Sequence, residues 1–422
     1  MVATALPSSA IAEWLSRKSP LLSKTQPVLV ALLAFSAAVN LAIYYTDVRG
    51  LLGHNDFRLY YAGAEVGLRY GWSHIYDVSL HQAAVAALQP TGPWYAMLTP
   101  APIAWLVAPL TVLGYPAAYW VWVALSIATL AVAVWYVRPR WHSAALYLLW
   151  WAALGPLWFS AYEGQVTILA TAGLLAGWRL LETRRDYVGG LVLGAALFKP
   201  YLVLLLPLAL LASGRVRALL GFMTVAAAAG LGMLVTLHPQ GIQNYIAMLL
   251  APQAAGDTAN TLRSALGGSP AVVAIQAGVV IAVIAISVHA RRSHVVWPVV
   301  TSALLGSFLL ATYWHPQDYL AIDGAAAIML TAGPRKLAVL IAAAVAIVSA
   351  LATPLTAHQS VLAWLRFGAH ISGILRIANV DAAPARGAAC CKASLSSLRR
   401  CHGRKTSKGR RPVIAYQGGR RH

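Results

Sequence analysis

The sequence predicts an all-α membrane protein, a polytopic bundle of about eleven or twelve transmembrane helices with a long first outer loop. Of its 422 residues, 59% are apolar and only 10% charged, whereas a soluble globular chain is about a quarter charged. Several apolar runs also approach or exceed the roughly 18 residues that mark a membrane span. The same apolar content excludes an intrinsically disordered chain.

Charge divides the chain. Net charge is +20. Residues 376–422 hold 12 Lys/Arg and one acid, Asp381, so this tail alone carries +11. It reads as a basic, disordered extension of the kind that binds anionic lipid headgroups or RNA without specificity. No nucleic-acid-binding fold accompanies it, so a nucleic-acid partner is not indicated. Cys390, Cys391 and Cys401 all fall in the tail, at a spacing poorly suited to zinc. The expected organisation is therefore a cytoplasmic N-terminus (1–27), a transmembrane domain (28–375) and a basic tail (376–422).

Spans follow from apolar runs, and their sides from the Lys/Arg bias of short loops. Val28–Tyr45 is the first span, a retained one without a cleavage site. Arg17, Lys18 and Lys24 put its start in the cytoplasm. A polar outer loop runs from Thr46 to about Trp94. Met97–Leu113 carries Pro100, Pro102 and Pro109 and reads as a re-entrant or interfacial segment buried in protein. Ala117–Val137, Ala144–Ser160 and Val166–Leu181 then alternate across the membrane. Tyr187–Ala212 is interrupted at Lys199-Pro200 and reads as two half-depth helices hinged on the outer side. Val216–Leu237 leads to a second outer loop, His238–Pro270. Ala271–His289, Val295–Thr312, Tyr319–Leu330, Leu337–Leu351 and Val361–Ile377 complete the set. This topology places 14 Lys/Arg inside and five outside, while Asp47, Asp56, Glu65, Asp77, Glu163, Asp257 and Asp318 all fall outside.

The residues able to do chemistry therefore gather on the outer side. Asp56, in His54-Asn55-Asp56-Phe57-Arg58-Leu59-Tyr60-Tyr61, can be a general base. Asn55 or Asp56 can equally cap a helix running to Tyr70. Asp77 with Ser79 can cap the next helix. Lys199, between Leu197-Phe198 and Pro200-Tyr201, is expensive in an apolar setting and needs an anion, a carboxylate such as Glu163 or a ligand phosphate. Snorkelling to the interface is the alternative. His315 can donate to phosphate or a sugar hydroxyl, or make a structural contact. Gln165 can bond a ligand or a helix, and Asp318 can cap the helix after it. Trp72, Trp94 and Tyr95 can stack on sugar rings or anchor at the interface. No zinc spacing, phosphate-binding glycine loop or Ser-His-Asp elbow is present. A lipid or solute transporter or flippase remains the rival to an enzyme, since broken helices and intramembrane charge suit both.

The order Asp56-Phe57 with Tyr60-Tyr61, Ile75-Tyr76-Asp77, Pro100-Ala101-Pro102, Ala108-Pro109-Leu110, Ala117–Trp122, Glu163-Gly164-Gln165 and Gly189–Lys199-Pro200-Tyr201 resembles glycosyltransferase family 87. These are GT-C enzymes that use polyprenol-phosphate sugars, mannosyltransferases and an arabinofuranosyltransferase among them. The resemblance spans about residues 28–332. It implies inverting transfer of a sugar, mannose first and arabinofuranose second, from a polyprenyl-phosphate donor to a lipid or glycan hydroxyl. The reaction would sit on the outer, periplasmic side of the inner (plasma) membrane. It carries the general base to Asp56, the span-motif lysine to Lys199 and a late outer histidine to His315. Arg58 would join Lys199 and His315 at the leaving phosphate. Tyr60, Glu163 and Gln165 would count with the substrate-binding residues. With one acid in the His54–Tyr61 stretch, and not the paired acids of some other GT-C families, no metal site is indicated, and the lipid-linked donor is the only small molecule implied besides the acceptor.

Overall fold

The structure, a computed structural model, describes residues 20–51, 55–89, 94–138, 144–250, 261–267 and 269–332. The expected spans Leu337–Leu351 and Val361–Ile377, the basic tail and its cysteines lie outside the described residues, as does His54. The helices are α1 (Pro20–Leu51), α2 (Phe57–Tyr70), α3 (Val78–Leu88), α4 (Pro102–Val107), α5 (Tyr115–Val137), α6 (Ala144–Ala152), α7 (Gly155–Glu163) and α8 (Thr167–Glu182). They continue with α9 (Asp186–Leu193), α10 (Leu206–Ala212), α11 (Val216–Leu250), α12 (Leu262–Leu266), α13 (Pro270–Ser293), α14 (Trp297–Leu310) and α15 (Tyr319–Ala332). No strand occurs among the described residues. α5, α11 and α13 are long and apolar enough to cross a membrane. The fold is that of an all-α membrane protein.

α8 lies at the centre of the bundle. It packs against α5, α9 and α15, α9 packs in turn on α11, and α14 bridges α13 and α15. Small residues allow the close approaches. A Cβ on Gly190 of α9 would run into the Ala218 carbonyl of α11, and one on Gly221 of α11 would run into the Tyr187 carbonyl. Contact of this backbone-to-backbone kind is how apolar helices gain dispersion energy where lipid removes the hydrophobic drive between them.

Two spans depart from the expected single rods. Ala144–Ser160 is broken at Ala153-Leu154 into α6 and α7, with Pro156 in the first turn of α7. Proline has no N–H to continue the ladder. The Ala153 carbonyl left at the break instead accepts from Ser36 Oγ (3.2 Å) and Asn40 Nδ2 (3.0 Å) of α1. The second case is His238-Pro239. There the chain bends (His238 φ 53°, ψ 175°) but continues helically to Leu250, so the first part of the expected outer loop is helix. That part is held by Tyr245, whose ring lies 4.5 Å from that of Tyr76 and whose hydroxyl donates to the Leu98 carbonyl at 3.3 Å.

Between Met97 and Leu113 the chain forms only the six-residue α4 and a 3₁₀ turn, Ala108–Leu113. This is a short, proline-broken segment of the kind the three prolines predict. Before it, Asp77 caps α3, its Oδ1 accepting from the backbone of Ser79 (3.0 Å) and Leu80 (3.1 Å).

α3 carries a fully buried histidine, His81, with its Nε2 3.0 Å from the Leu59 carbonyl of α2 and its Nδ1 accepting from Trp94 Nε1 at 3.1 Å. Burial pushes its pKa down to about 4. The folded chain therefore holds His81 neutral, while an unfolded histidine takes up a proton near pH 6.5. The sign follows: this contribution is whole above about pH 6.5 and is lost as pH falls toward 4, by at most about 3 kcal/mol. The melting temperature of detergent-solubilised protein should fall over that window, and His81→Gln should flatten the fall. An equally steep fall in the variant would assign it to other groups.

Candidate active site

The site begins at the N-terminus of α2. Asp56 occupies the cap position, but in α-helical conformation (φ −70°, ψ −21°) and with no side-chain capping bond. Asn55 does not cap either: its Oδ1 accepts from the Tyr115 hydroxyl at 2.7 Å. The capping alternative is thus set aside, and the Asp56 carboxylate is left for other partners. On the helix that follows, Phe57 turns away from Asp56 into an aromatic cluster, its ring 5.8 Å from Trp122 and 5.9 Å from Tyr115. Asp56, Leu59 and Tyr60 recur at i, i+3 and i+4 and line one cavity, as residues on one helical face do.

The Glu163-Gly164-Gln165 turn brings the second set. Gly164 ends α7 in the left-handed region (φ 62°), where glycine carries no Cβ penalty. A Cβ there would also lie 2.6 Å from Phe57 Cβ, so only glycine lets the turn sit against α2. α5 clamps the turn from behind. Tyr119 OH donates to the carbonyls of Ala161 (3.0 Å) and Tyr162 (3.1 Å), and Trp122 Nε1 donates to that of Gly164 (2.7 Å).

With the turn held, Glu163 Oε2 accepts the Asp56 backbone N–H at 2.9 Å, and Gln165 Nε2 donates to Asp56 Oδ2. The Tyr60 hydroxyl donates to Gln165 Oε1 at 3.0 Å. This orientation of the amide is forced, because an ionised carboxylate only accepts and so must face the NH₂ group.

Burial raises both carboxyls. For Asp56 the fields of His315, Lys199 and Arg58 and the Gln165 hydrogen bond oppose the rise. Glu163 is raised further, by burial and then by the charge of Asp56 itself. Both remain partly accessible, and both line the cavity.

The third set comes from the broken helix. α9 passes through a 3₁₀ stretch, Gly194–Phe198, to Lys199 in extended conformation (φ −130°, ψ 82°), and then through Pro200–Val203 to α10. Lys199 is 4% exposed. Its partner is not Glu163, whose carboxylate is engaged at the Asp56 backbone, but Asp318, at 2.6 Å. Asp318 is completely buried and also accepts from Tyr201 OH (2.8 Å), Thr167 Oγ1 (3.2 Å) and the His315 backbone N–H (3.1 Å). Burial alone would raise its pKa, but Lys199, His315 and the hydrogen bonds outweigh it and hold Asp318 below the usual carboxylate range. Among the described residues no bond runs from Asp318 to the backbone of the following helix; its carboxylate instead turns back to the His315 N–H of the Pro316–Asp318 turn and pairs with Lys199.

The result is a cavity of about 420 Å³ lined by Asp56, Tyr60, Glu163, Gln165, Lys199 and His315, with aromatic and apolar walls that include Trp94, Tyr95, Phe159, Tyr201 and Tyr313. Six of the seven residues singled out from sequence meet there. Arg58 does not line it; it is buried, with its guanidinium carbon 5.8 Å from the Tyr95 ring centroid, and acts on Asp56 and Glu163 through its field. Trp72 is not in the lining either. Among the described residues no three His, Cys, Asp or Glu side chains come together as metal ligands. The sequence reading missed the pairing of Asp318 with Lys199 and the anchoring roles of Tyr119, Trp122 and Tyr201. For Tyr201 the only signal was its place next to Lys199-Pro200.

A carboxylate, an ammonium and an imidazole around one cavity are groups that can serve a transfer displacing an anion. The family model of glycosyltransferase family 87 matches residues 98–313, just over half of the chain. The protein belongs to that family. It is a membrane glycosyltransferase, and the transporter reading falls. Asp56 and the His315–Asp318 turn flank the matched segment and meet it in the cavity. No curated protein and no solved structure matches the chain.

Removing one member of a buried ion pair strands the other charge, at a cost of about 3–5 kcal/mol. Lys199→Met should therefore lower the melting temperature sharply, and Lys199→Met/Asp318→Leu should recover much of the loss. A double variant no more stable than the single would show that the pair is not what holds the broken helix.

Proposed function

We propose that the protein transfers a sugar, mannose in the first instance, from a polyprenyl-phosphate donor to a hydroxyl of a lipid or glycan, with inversion, on the outer face of the inner (plasma) membrane. The observation that carries this reading is the shared cavity: Asp56, held by Gln165, lines the same space as Lys199 and His315.

In this mechanism the acceptor hydroxyl oxygen attacks the anomeric carbon from the face opposite the phosphate. Its proton passes to the Asp56 carboxylate. The bond between the anomeric carbon and the phosphate oxygen breaks, and polyprenyl phosphate leaves with the electron pair. Lys199 has three N–H donors and gives one to Asp318, so two remain for the departing phosphate. His315 adds a further donor. Arg58 contributes from behind the wall by its field. Donors fixed before the reaction stabilise the developing charge without reorganising. No metal or further cofactor is assigned to the step.

The test is label transfer from polyprenyl-phosphate-[14C]mannose into a membrane lipid extract by purified protein, with the arabinofuranosyl donor and EDTA in parallel. Asp56→Asn should reduce transfer by about 10²–10⁴-fold. Undiminished transfer in Asp56→Asn would sink the base assignment. Because burial raises Asp56, the acid limb of kcat/KM should lie above the ordinary carboxylate value of about 4. Gln165→Leu should move it higher still, since the carboxylate loses a hydrogen bond.

A further inference from the structure

Trp94 and Tyr95 line the cavity together with Asp56, Leu59 and Tyr60. The indole of Trp94 is fixed by a buried link. Its Nε1–H donates to His81 Nδ1 at 3.1 Å, and His81 Nε2 lies 3.0 Å from the Leu59 carbonyl. An indole N–H can only donate, so Nδ1 must accept, and the ring proton sits on Nε2 and is given to Leu59. Leu59 is one turn beyond Asp56 on α2, and its own backbone N–H donates to the Asp56 carbonyl at 2.9 Å. The indole is thus tied to the same helical turn as the carboxylate.

A tryptophan that anchors at a membrane interface keeps its N–H for headgroups and water. Trp94 spends it inward on a side chain that is 0% exposed, while the part-buried residue lines the cavity. Tyr95, 55% exposed, lines the same cavity, and Arg58 stands over its ring. Trp72, the other large aromatic of this loop, instead covers Gly67 of α2, where any Cβ would collide with its ring.

We infer that Trp94 is the platform of an acceptor subsite for a ring-bearing hydroxyl compound, a sugar or cyclitol headgroup, and that His81 is its positioning residue. The inference rests on the reading of Asp56 as base, because it is the acceptor whose hydroxyl must approach that carboxylate. The flat apolar face of a pyranose, furanose or cyclitol stacks on an aromatic ring, whereas a flexible ring-free alcohol does not. Lys199 and His315, assigned to the phosphate, come from other elements.

The test uses the full chain in nanodiscs, without donor, and native mass spectrometry with two probes: a long-chain alkyl mannoside and the matching ring-free 1,2-diol. Wild type should bind the mannoside in preference to the diol. Trp94→Ala should weaken mannoside binding about tenfold and leave the diol unchanged. Trp94→Phe should keep most of the affinity. His81→Leu should behave as Trp94→Ala does, and His81→Gln, which can still accept and donate, should restore binding. Equal affinity of wild type for the two probes, or unaltered mannoside binding in Trp94→Ala, would overturn the inference. So would loss in Trp94→Ala of acceptor-independent donor hydrolysis, because the platform would then serve the donor. Failure of the base assignment reads differently: Asp56→Asn would keep full transfer while mannoside binding still depended on Trp94.

Discussion

A lysine ammonium inside an apolar bundle has to meet an anion, and much of the centre of this protein is arranged around that requirement. Lys199 sits where one helix breaks into two, and Asp318 sits in the turn before α15, 119 residues further along the chain. Their contact joins the broken helix to that turn, and Thr167 and Tyr201 add α8 and the second half-helix to the same carboxylate. Irregular backbone at membrane depth is tolerated only where protein satisfies it. Here the Leu205 N–H donates to Ser307 Oγ of α14 at 3.0 Å, and the freed polar groups around Lys199 close on one another. The pair therefore holds the hinge and one wall of the cavity at once.

The opposite wall depends on a different constraint, the close approach of the Gly164 turn to Phe57. Glycine at that position lets the turn adopt a left-handed conformation and lie against α2. The hydrogen bonds from Tyr119 and Trp122 then fix Glu163 and Gln165 relative to Asp56. Two carboxyls brought together in a poorly solvated space cannot both ionise readily. Their inequality follows from their partners. Asp56 accepts a side-chain amide and feels the fields of His315, Lys199 and Arg58, whereas Glu163, which also feels Arg58 and Lys199, accepts one backbone N–H and faces the charge of Asp56. The difference between the two carboxyls is produced by their surroundings.

Much of the fold was legible because membranes impose long, one-dimensional patterns. Apolar runs located α5, α8, α13 and α14 to within a few residues. The prolines at 100, 102 and 109 marked the short segment, and Lys199-Pro200 marked the hinge. The break inside Ala144–Ser160 was not seen in that pattern, although Gly155-Pro156 lies in it. The break is stabilised by Ser36 and Asn40, from a helix more than a hundred residues earlier, and no local pattern carries that information. The continuation of α11 past His238 was missed for a like reason: its stability comes from Tyr76 and Leu98 in a distant loop.

The site divides along the same line. By itself the sequence determined the membrane class, the grouping of acids in loops of one assigned side and the identity of Asp56, Glu163, Gln165, Lys199 and His315 as polar residues at costly positions. Burying such groups in apolar surroundings is unfavourable enough that their presence alone is informative. Tertiary structure decided their partners: that Asp56 faces Gln165 instead of capping α2, that Lys199 pairs with Asp318 and not Glu163, and that Arg58 lies behind the wall. Hydrogen bonds and ion pairs act over about 3 Å in space and are indifferent to separation along the chain, so only the folded bundle could choose among carboxylates that the sequence left equivalent.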